Sequence, residues 1–434
     1  MERHAGAPQA IGGTVDQEDL NELKKLLDDT GWKVTLGAPL KAIIDPAQVK
    51  NPTRDPSPAV TLDQVVAEVK AVHETLGDDL LAVEVGNEYD NVTTLTGPQL
   101  WETVKRYQAA IDAAVPHAHL KMVGPSANTA KTNTRLDEFV TAALADTPTN
   151  PQQVMAELAS HWYPWSHCGN RPVTIDQLMS PETYTSTRSK LAGIMAISSR
   201  LHDTLPVTVN ESNSASCSGM PQVSNSYATS LWSLDYLLQT AQSGVTRLQL
   251  HTNTAAVCGD FKARDSADYP ISYRYYGAFC AADEAALRGN QLSAAPLYYG
   301  IWAFRQVPDG RFVDLDLPDS DLDKIRAYGV LSNDGTLTAV LVNVQDPAAA
   351  DATDQRVALH LPSSYRSAHA VTLGSSASEG LASVDASRIT LGGQAVSPAG
   401  VPTGAPQSTP VAVDHRSSAV TVAPGTAQIV TFSH

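Results

Sequence analysis

Two short apolar runs each stop at an Asn-Glu pair. One is Leu80 to Glu88 (LLAVEVGNE) and the other Leu205 to Glu211 (LPVTVNE). A carboxyl at the end of a buried strand can give a proton or attack as a nucleophile. Two carboxyls facing one bond can cleave a glycoside, and retaining enzymes hold them about 5–5.5 Å apart across the anomeric carbon. Glu88 and Glu211 are therefore the candidate catalytic pair. On a bland reading they are ordinary strand-end carboxylates facing solvent.

A (β/α) barrel carries its chemistry at the C-terminal ends of parallel strands. The surrounding chain alternates as such a barrel must. Met1 to Gly13 has no periodicity. Asp16 to Asp29 predicts a helix, with Leu20, Leu23, Leu26 and Leu27 at helical spacing, and Trp32 to Gly37 a strand. Pro52 to Pro58 is loop. Leu62 to Leu76 predicts an amphipathic helix stopped by Gly77. The strand before Glu88 follows. Then come a helix over Leu100 to Val115, a strand over Leu120 to Val123, a helix over Leu136 to Leu144 and a strand from Met155 to Ser160. A long helix lies within Pro181 to Thr204, before the strand that precedes Glu211. Ala228 to Ala241 is helical and Thr246 to Leu250 is a strand. Closure of such a barrel takes eight strands, and about six are visible. If Glu211 ends the seventh, Glu88 follows the fourth and Trp32 to Gly37 is the third. The expectation is a (β/α)8-type TIM barrel over 1–307 that is N-terminally incomplete.

After about Pro308 the texture changes. Arg311 to Leu317, Lys324 to Leu331, Thr336 to Val344, Arg356 to Leu361, His369 to Leu373, Arg388 to Leu391, Ala419 to Val422 and Gln428 to Phe432 are short strand-like runs. Asn333-Asp334-Gly335 is a hairpin signal, and Gly392 to Pro410 is a long loop. Residues 308–434 are expected to form an antiparallel β-sandwich.

The bulk composition narrows the function. A hydrophobic content of 42% with 18% charged residues describes a core-forming protein. A formal net charge of -16 disfavours nucleic acid as a partner and argues against long polyanionic polymers as substrates, without excluding a small anion in a local pocket. Cys168, Cys217, Cys258 and Cys280 show no CxxC spacing, so a zinc site is not expected. They can form two disulfides or remain four thiols. No apolar run reaches the ~18 residues of a membrane span, and no signal peptide is visible. Asn91-Val92-Thr93 is a glycosylation sequon, and so formally is Asn210-Glu211-Ser212.

An acid/base on the fourth strand preceded by Asn, with a nucleophile on the seventh, resembles the large barrel clan of retaining glycosidases. The local wording is similar to glycoside hydrolase family 79, the β-glucuronidase and heparanase family. The residues that carry it are Val85-Gly86-Asn87-Glu88, Gly124-Pro125-Ser126, His161-Trp162-Tyr163 and Asn210-Glu211-Ser212-Asn213-Ser214-Ala215-Ser216-Cys217-Ser218-Gly219. Trp232-Ser233-Leu234-Asp235 and Pro296-Leu297-Tyr298-Tyr299-Gly300 extend it. Two departures stand out: Tyr89 follows Glu88 where the family usually has Pro, and the Gly-rich run after the nucleophile is thinned.

The resemblance implies a retaining exo-β-glucuronidase for small aryl or oligosaccharide glucuronides, without cofactor or metal, extracellular or secreted. Glu211 would attack C1 and Glu88 would protonate the leaving oxygen. Asn87 would bond the sugar 2-hydroxyl, and Tyr163 would steady Glu211. Ser216, Cys217, Ser218 and Gly219 would offer backbone N–H groups to the sugar carboxylate. A tyrosine would help there, with Tyr299 favoured among Tyr275, Tyr276, Tyr298 and Tyr299. The rival expectations are a packed aromatic at each tyrosine, a satisfied strand-end histidine at His161, and core burial for Trp162 and Trp165. For the whole chain the rivals are a retaining β-glycosidase for neutral sugars and a non-catalytic carbohydrate-binding protein.

Overall fold

The computed structural model describes residues 16–50, 60–201, 205–252, 257–258, 275–289, 291–313, 315, 321–361 and 365–434. The expected loop at Pro52 to Pro58 and the start at Met1 to Gly13 lie outside them.

Local chemistry sets the helices. Thr61 and Gln64 exchange side-chain and backbone hydrogen bonds in a capping box that starts Leu62–Leu76. Val65, Val69, Val72 and Leu76 bury one face of that helix, and Gly77 at φ 57 ends it. Asp16 starts Gln17–Thr30 in the same way, and Gly31 at φ 69 stops it. Here Leu20 and Leu27 are buried but Leu26 is 50% exposed, so the buried stripe is narrower than four leucines suggested.

The chain divides into two compact units. The first is Met1–Trp162, Ser189–Ser212 and Ser243–Leu250. The second is Tyr163–Arg188, Asn213–Gln242 and His251–His434. The change of texture near residue 308 falls inside the second unit.

The first eight strands are β1 (Val34–Ala38), β2 (Leu80–Val85), β3 (Lys121–Ala127), β4 (Met155–Trp162), the short β5 (Trp165–Ser166), β6 (Val207–Ser212), the short β7 (Ala215–Ser216) and β8 (Arg247–Leu250). The first unit holds a six-stranded sheet in the order β1-β2-β3-β4-β6-β8. Every pairing in it is parallel. Helices Leu62–Leu76, Gly97–Ala114 and Thr132–Ala145 connect its first four strands. This is a half-barrel of the TIM type, built from the six strands counted in the sequence. Ala82, Val123 and Ala159 pack together on β2, β3 and β4.

Two irregularities mark the sheet. Pro125 and Ala127 of β3 pair with the consecutive Ala159 and Ser160 of β4, which leaves Ser126 as an extra residue. Val209 and Glu211 of β6 pair with the consecutive Ser160 and His161, which leaves Asn210 extra. Bulges of this kind bend a strand and re-aim its side chains.

In the second unit Leu337–Asn343 pairs antiparallel with both Ile325–Leu331 and Thr426–Ser433. The larger sheet continues to Ser367–Ser375 and Ile389–Leu391. A three-stranded sheet contains Gln355–His360 and Ser417–Val422. Leu341, Val422, Val430 and Phe432 lie in the core of this β-sandwich. Gly335 at φ 86 makes the hairpin turn that Asn333-Asp334-Gly335 predicted. The loop expected over Gly392 to Pro410 contains short paired segments at Ala395–Val396 and Pro402–Thr403.

The cysteines form two disulfides, Cys168–Cys217 and Cys258–Cys280. Among the described residues no helix is long and apolar enough to cross a membrane.

Candidate active site

The chain turns sharply where β2 ends. Gly86 adopts φ +78, and a Cβ there would stand 2.5 Å from Leu40 Cδ1. Glu88 adopts φ 45, a left-handed conformation that costs a non-glycine residue roughly 1–2 kcal/mol. Such outliers persist where surrounding contacts hold them. Glu88 N–H donates to the Ser126 carbonyl at 2.9 Å. The four-residue helix Tyr89–Val92 follows at once, an element absent from the sequence reading.

The Glu88 carboxyl is held from three directions. Asn91 Nδ2 donates to Oε2 at 2.7 Å, and Asn128 Nδ2 donates to Oε1 at 2.9 Å. His161 Nδ1 lies 3.2 Å from the same Oε1. The His161 ring, 1% exposed at the end of β4, also reaches Glu211, whose Oε2 is 3.8 Å from Nδ1. One donor atom from each of Glu88, His161 and Glu211 lies within 4.8 Å of the others. Only the Glu88–His161 pair is at hydrogen-bond distance, and the wider spacing of the three would suit a divalent cation.

The structure thus brings together the two carboxyls expected from the sequence. It also joins to them residues that the sequence reading did not place in the site. His161 was expected to be a satisfied strand-end histidine. It stands between the two carboxyls, and its Nε2 is buried with no partner among the described residues. Glu84, two turns of the pleat before Glu88, was not singled out. Its Oε1 accepts a hydrogen bond from Asn210 Nδ2 at 2.9 Å. Burial raises the Glu84 carboxyl above its ordinary pKa, and the Glu211 charge adds to this. Hydrogen bonds from Ser126 and Asn210 and the nearby His161 oppose the rise. The available signal was a lone charge inside the apolar run Leu80 to Val85, with the same strand parity as the inward-facing Ala82.

Asn87 is exposed and lines a cavity of about 460 Å³ with Gly37, Pro39, Lys41, Glu84 and Thr93. That volume falls in the range of roughly 300–1,000 Å³ usual for small-molecule sites.

The remaining candidates, apart from Trp162 at the end of β4, belong to the second unit. The Tyr163 hydroxyl is 3.1 Å from His251 Nδ1, as is that of Tyr276. Asn213 Nδ2 donates to the carbonyls of His251 at 2.9 Å and Tyr276 at 3.0 Å. Cys217, Ser218 and Gly219 all have positive φ, at 61, 74 and 77. Cys217 is tied down by its disulfide, Ser216 Oγ donates to Ser166 Oγ at 2.9 Å, and the Ser218 carbonyl accepts from Tyr275 N–H at 2.7 Å. Three of the four residues of this loop are thus tied to neighbours. Tyr299 is fully buried, and its hydroxyl accepts the Val396 N–H at 2.9 Å, which secures the chain at Val396. Trp165 is half-buried and donates from Nε1 to Thr183 Oγ1 at 2.7 Å, and Trp162 is buried.

No protein-family model and no curated protein matches this chain. Solved structures do. A 4-O-α-L-rhamnosyl-β-D-glucuronidase from Fusarium oxysporum superposes with a TM-score of 0.67 at 19% identity, over 95% of this chain and 79% of that one. A GH51 arabinofuranosidase from Xanthomonas axonopodis pv. citri superposes with a TM-score of 0.60 at 13% identity, over 97% and 80%. A Paenibacillus polymyxa xyloglucanase from glycoside hydrolase family 44 gives 0.58 at 12% identity, over 95% and 83%. The chain shares the fold of these glycoside hydrolases.

Proposed function

We propose that the chain is a retaining, exo-acting β-glucuronidase-like hydrolase, with Glu211 as nucleophile and Glu88 as acid/base. The observation that carries this reading is the convergence of both carboxyls on one imidazole nitrogen, at 3.2 and 3.8 Å. Carboxyl oxygens within 4.8 Å of one another fit the short separation of retaining enzymes better than the roughly 6.5–9.5 Å of inverting ones.

In the first step Glu211 attacks C1 and the glycosidic C–O bond breaks. Glu88 gives its proton to the departing oxygen. In the second step water attacks C1, Glu88 takes the water proton, and the Glu211–C1 ester bond breaks. His161 Nδ1 is placed to exchange a hydrogen bond with Glu88 in both protonation states, because an imidazole nitrogen can donate or accept. Asn87, beside Glu88 on the cavity wall, is assigned to the 2-hydroxyl. Ser216, Cys217, Ser218 and Gly219 are assigned to the sugar carboxylate, and Tyr163 to steadying Glu211. The glucuronidase among the structural neighbours supports the uronide reading. Two disulfides favour an oxidising compartment, as expected of an extracellular or secreted protein.

The test is release of nitrophenol from its β-glucuronide by the purified chain, beside Glu211→Ala. Turnover that vanishes in the variant is expected, and turnover that survives there would remove Glu211 as nucleophile. A second reading, a retaining glycosidase for neutral sugars, is favoured by the arabinofuranosidase and xyloglucanase neighbours. Faster hydrolysis of the nitrophenyl glucoside than of the glucuronide would select it.

A further inference from the structure

The two bulges of the parallel sheet are joined to each other. Asn210, the extra residue of β6, donates from Nδ2 to Ser126 Oγ at 2.8 Å, and Ser126 is the extra residue of β3. The same Nδ2 donates to Glu84 Oε1 on β2 at 2.9 Å. Asn210 Oδ1 is buried and has no partner among the described residues, so Glu84 and Ser126 together hold that amide.

Each bulge is also joined to the backbone of a proposed catalytic residue. The Ser126 carbonyl accepts the Glu88 N–H at 2.9 Å, while Ser126 itself is fully buried at φ 49. Asn210 immediately precedes Glu211. Because the bulge resets the alternation of β6, Asn210 can point at Glu84 while Glu211 points at His161. Without an extra residue, neighbouring side chains of a strand face opposite sides.

We infer that Glu84 is a positioning residue, whose carboxyl pins the paired bulges at Ser126 and Asn210 and so aims both Glu88 and Glu211. This rests on the reading of those two glutamates as the catalytic pair. Glu84 does not act on the substrate bond. It works through Asn210 and Ser126, as a half-buried acceptor that no apolar residue can replace. A misplacement near 1 Å in an active site costs about 10²-fold in rate.

The test is a set of variants assayed on nitrophenyl β-glucuronide, with melting followed in parallel. Glu84→Leu is expected to lower kcat about 10²-fold while KM changes by less than about threefold. Glu84→Gln keeps an acceptor oxygen of the same shape and is expected to restore kcat to within about fivefold of the parent. Asn210→Ala leaves Glu84 in place, and its kcat is expected to fall in the same way. The double variant Glu84→Leu with Asn210→Ala is expected to be no worse than the weaker single variant by more than about threefold, since both break one linkage. A folded Asn210→Ala with the parent kcat overturns the inference, as does a folded Glu84→Gln as inactive as Glu84→Leu. Multiplicative losses in the double variant do the same. Survival of turnover in Glu211→Ala would instead remove the reading beneath it. Loss there, with full activity in Glu84→Leu and Asn210→Ala, would remove this inference alone.

Discussion

His161 and Glu88 meet through Nδ1 and Oε1 at 3.2 Å, inside a pocket where the histidine is 1% exposed. The geometry makes the imidazole the partner of whichever proton Glu88 carries. His161→Ala should therefore lower kcat/KM by at least about tenfold, less than the roughly 10²–10⁴-fold of a general acid or base itself, because the imidazole acts through Glu88. The loss should be larger for poor leaving groups, which need the Glu88 proton most. An equal loss for good and poor leaving groups would assign the histidine to packing alone.

The acid/base assignment has its own signature. Glu88→Ala should spare an aryl glucuronide with a very good leaving group and suppress one with a poor leaving group by about 10²-fold or more. Rates on a series of substituted phenyl glucuronides would read this directly. Equal loss across the series would count against Glu88.

Gly86 holds φ +78 with Leu40 Cδ1 only 2.5 Å from where a Cβ would stand. Gly86→Ala should cost about 1–2 kcal/mol for the left-handed backbone, before any repacking of Leu40. Because Glu88 lies two residues on, kcat should fall together with stability. Urea unfolding beside steady-state kinetics would check both, and a variant of parent stability would show that the turn relaxes freely.

The pH dependence of stability should carry the mark of Glu84. Its carboxyl is raised by burial, so the folded state binds that proton more tightly than the unfolded chain does. The resulting stabilisation is complete below the ordinary carboxyl pKa of about 4.3 and is lost as pH rises through the raised folded value. Glu84→Gln removes this titration. Between about pH 4 and pH 7 the variant should therefore lose less stability than the parent. Parallel melting profiles for the two proteins would contradict the expectation.

The Cys168–Cys217 bridge closes a sequence separation of 49 residues and Cys258–Cys280 one of 22. Chain-entropy reasoning assigns about 4 and about 3 kcal/mol to loops of those sizes. Guanidinium unfolding with and without a phosphine reductant should show a clear drop in midpoint, and Cys168→Ser most of the larger share. Identical midpoints would mean that the unfolded chain is already constrained in these regions.

Periodicity and end signals were enough to place most elements. The Thr61 cap, the valine stripe and Gly77 bound the helix Leu62–Leu76 to the residue, because capping and burial of one helical face are local properties. Each of the eight strand-like runs after Pro308 contains a strand among the described residues, for the same reason: alternation and turn residues are written within a few positions. Glu88 and Glu211 were visible because each ends an apolar strand, and strand order follows from the alternation with helices. The sequence by itself therefore determined the half-barrel, the sandwich and the two candidate carboxyls.

Tertiary structure alone decided what surrounds those carboxyls. His161 is 73 positions from Glu88, and nothing local says that a strand-end histidine faces two acids and not the core. Asn210 reaches Glu84 across 126 positions, and only because a one-residue bulge turns it inward. Tyr299 looked like a ligand contact in a Tyr-Tyr pair, yet its partner is a backbone N–H 97 positions away. Register shifts and side-chain partners of this kind depend on how distant strands meet, and local propensity does not encode that.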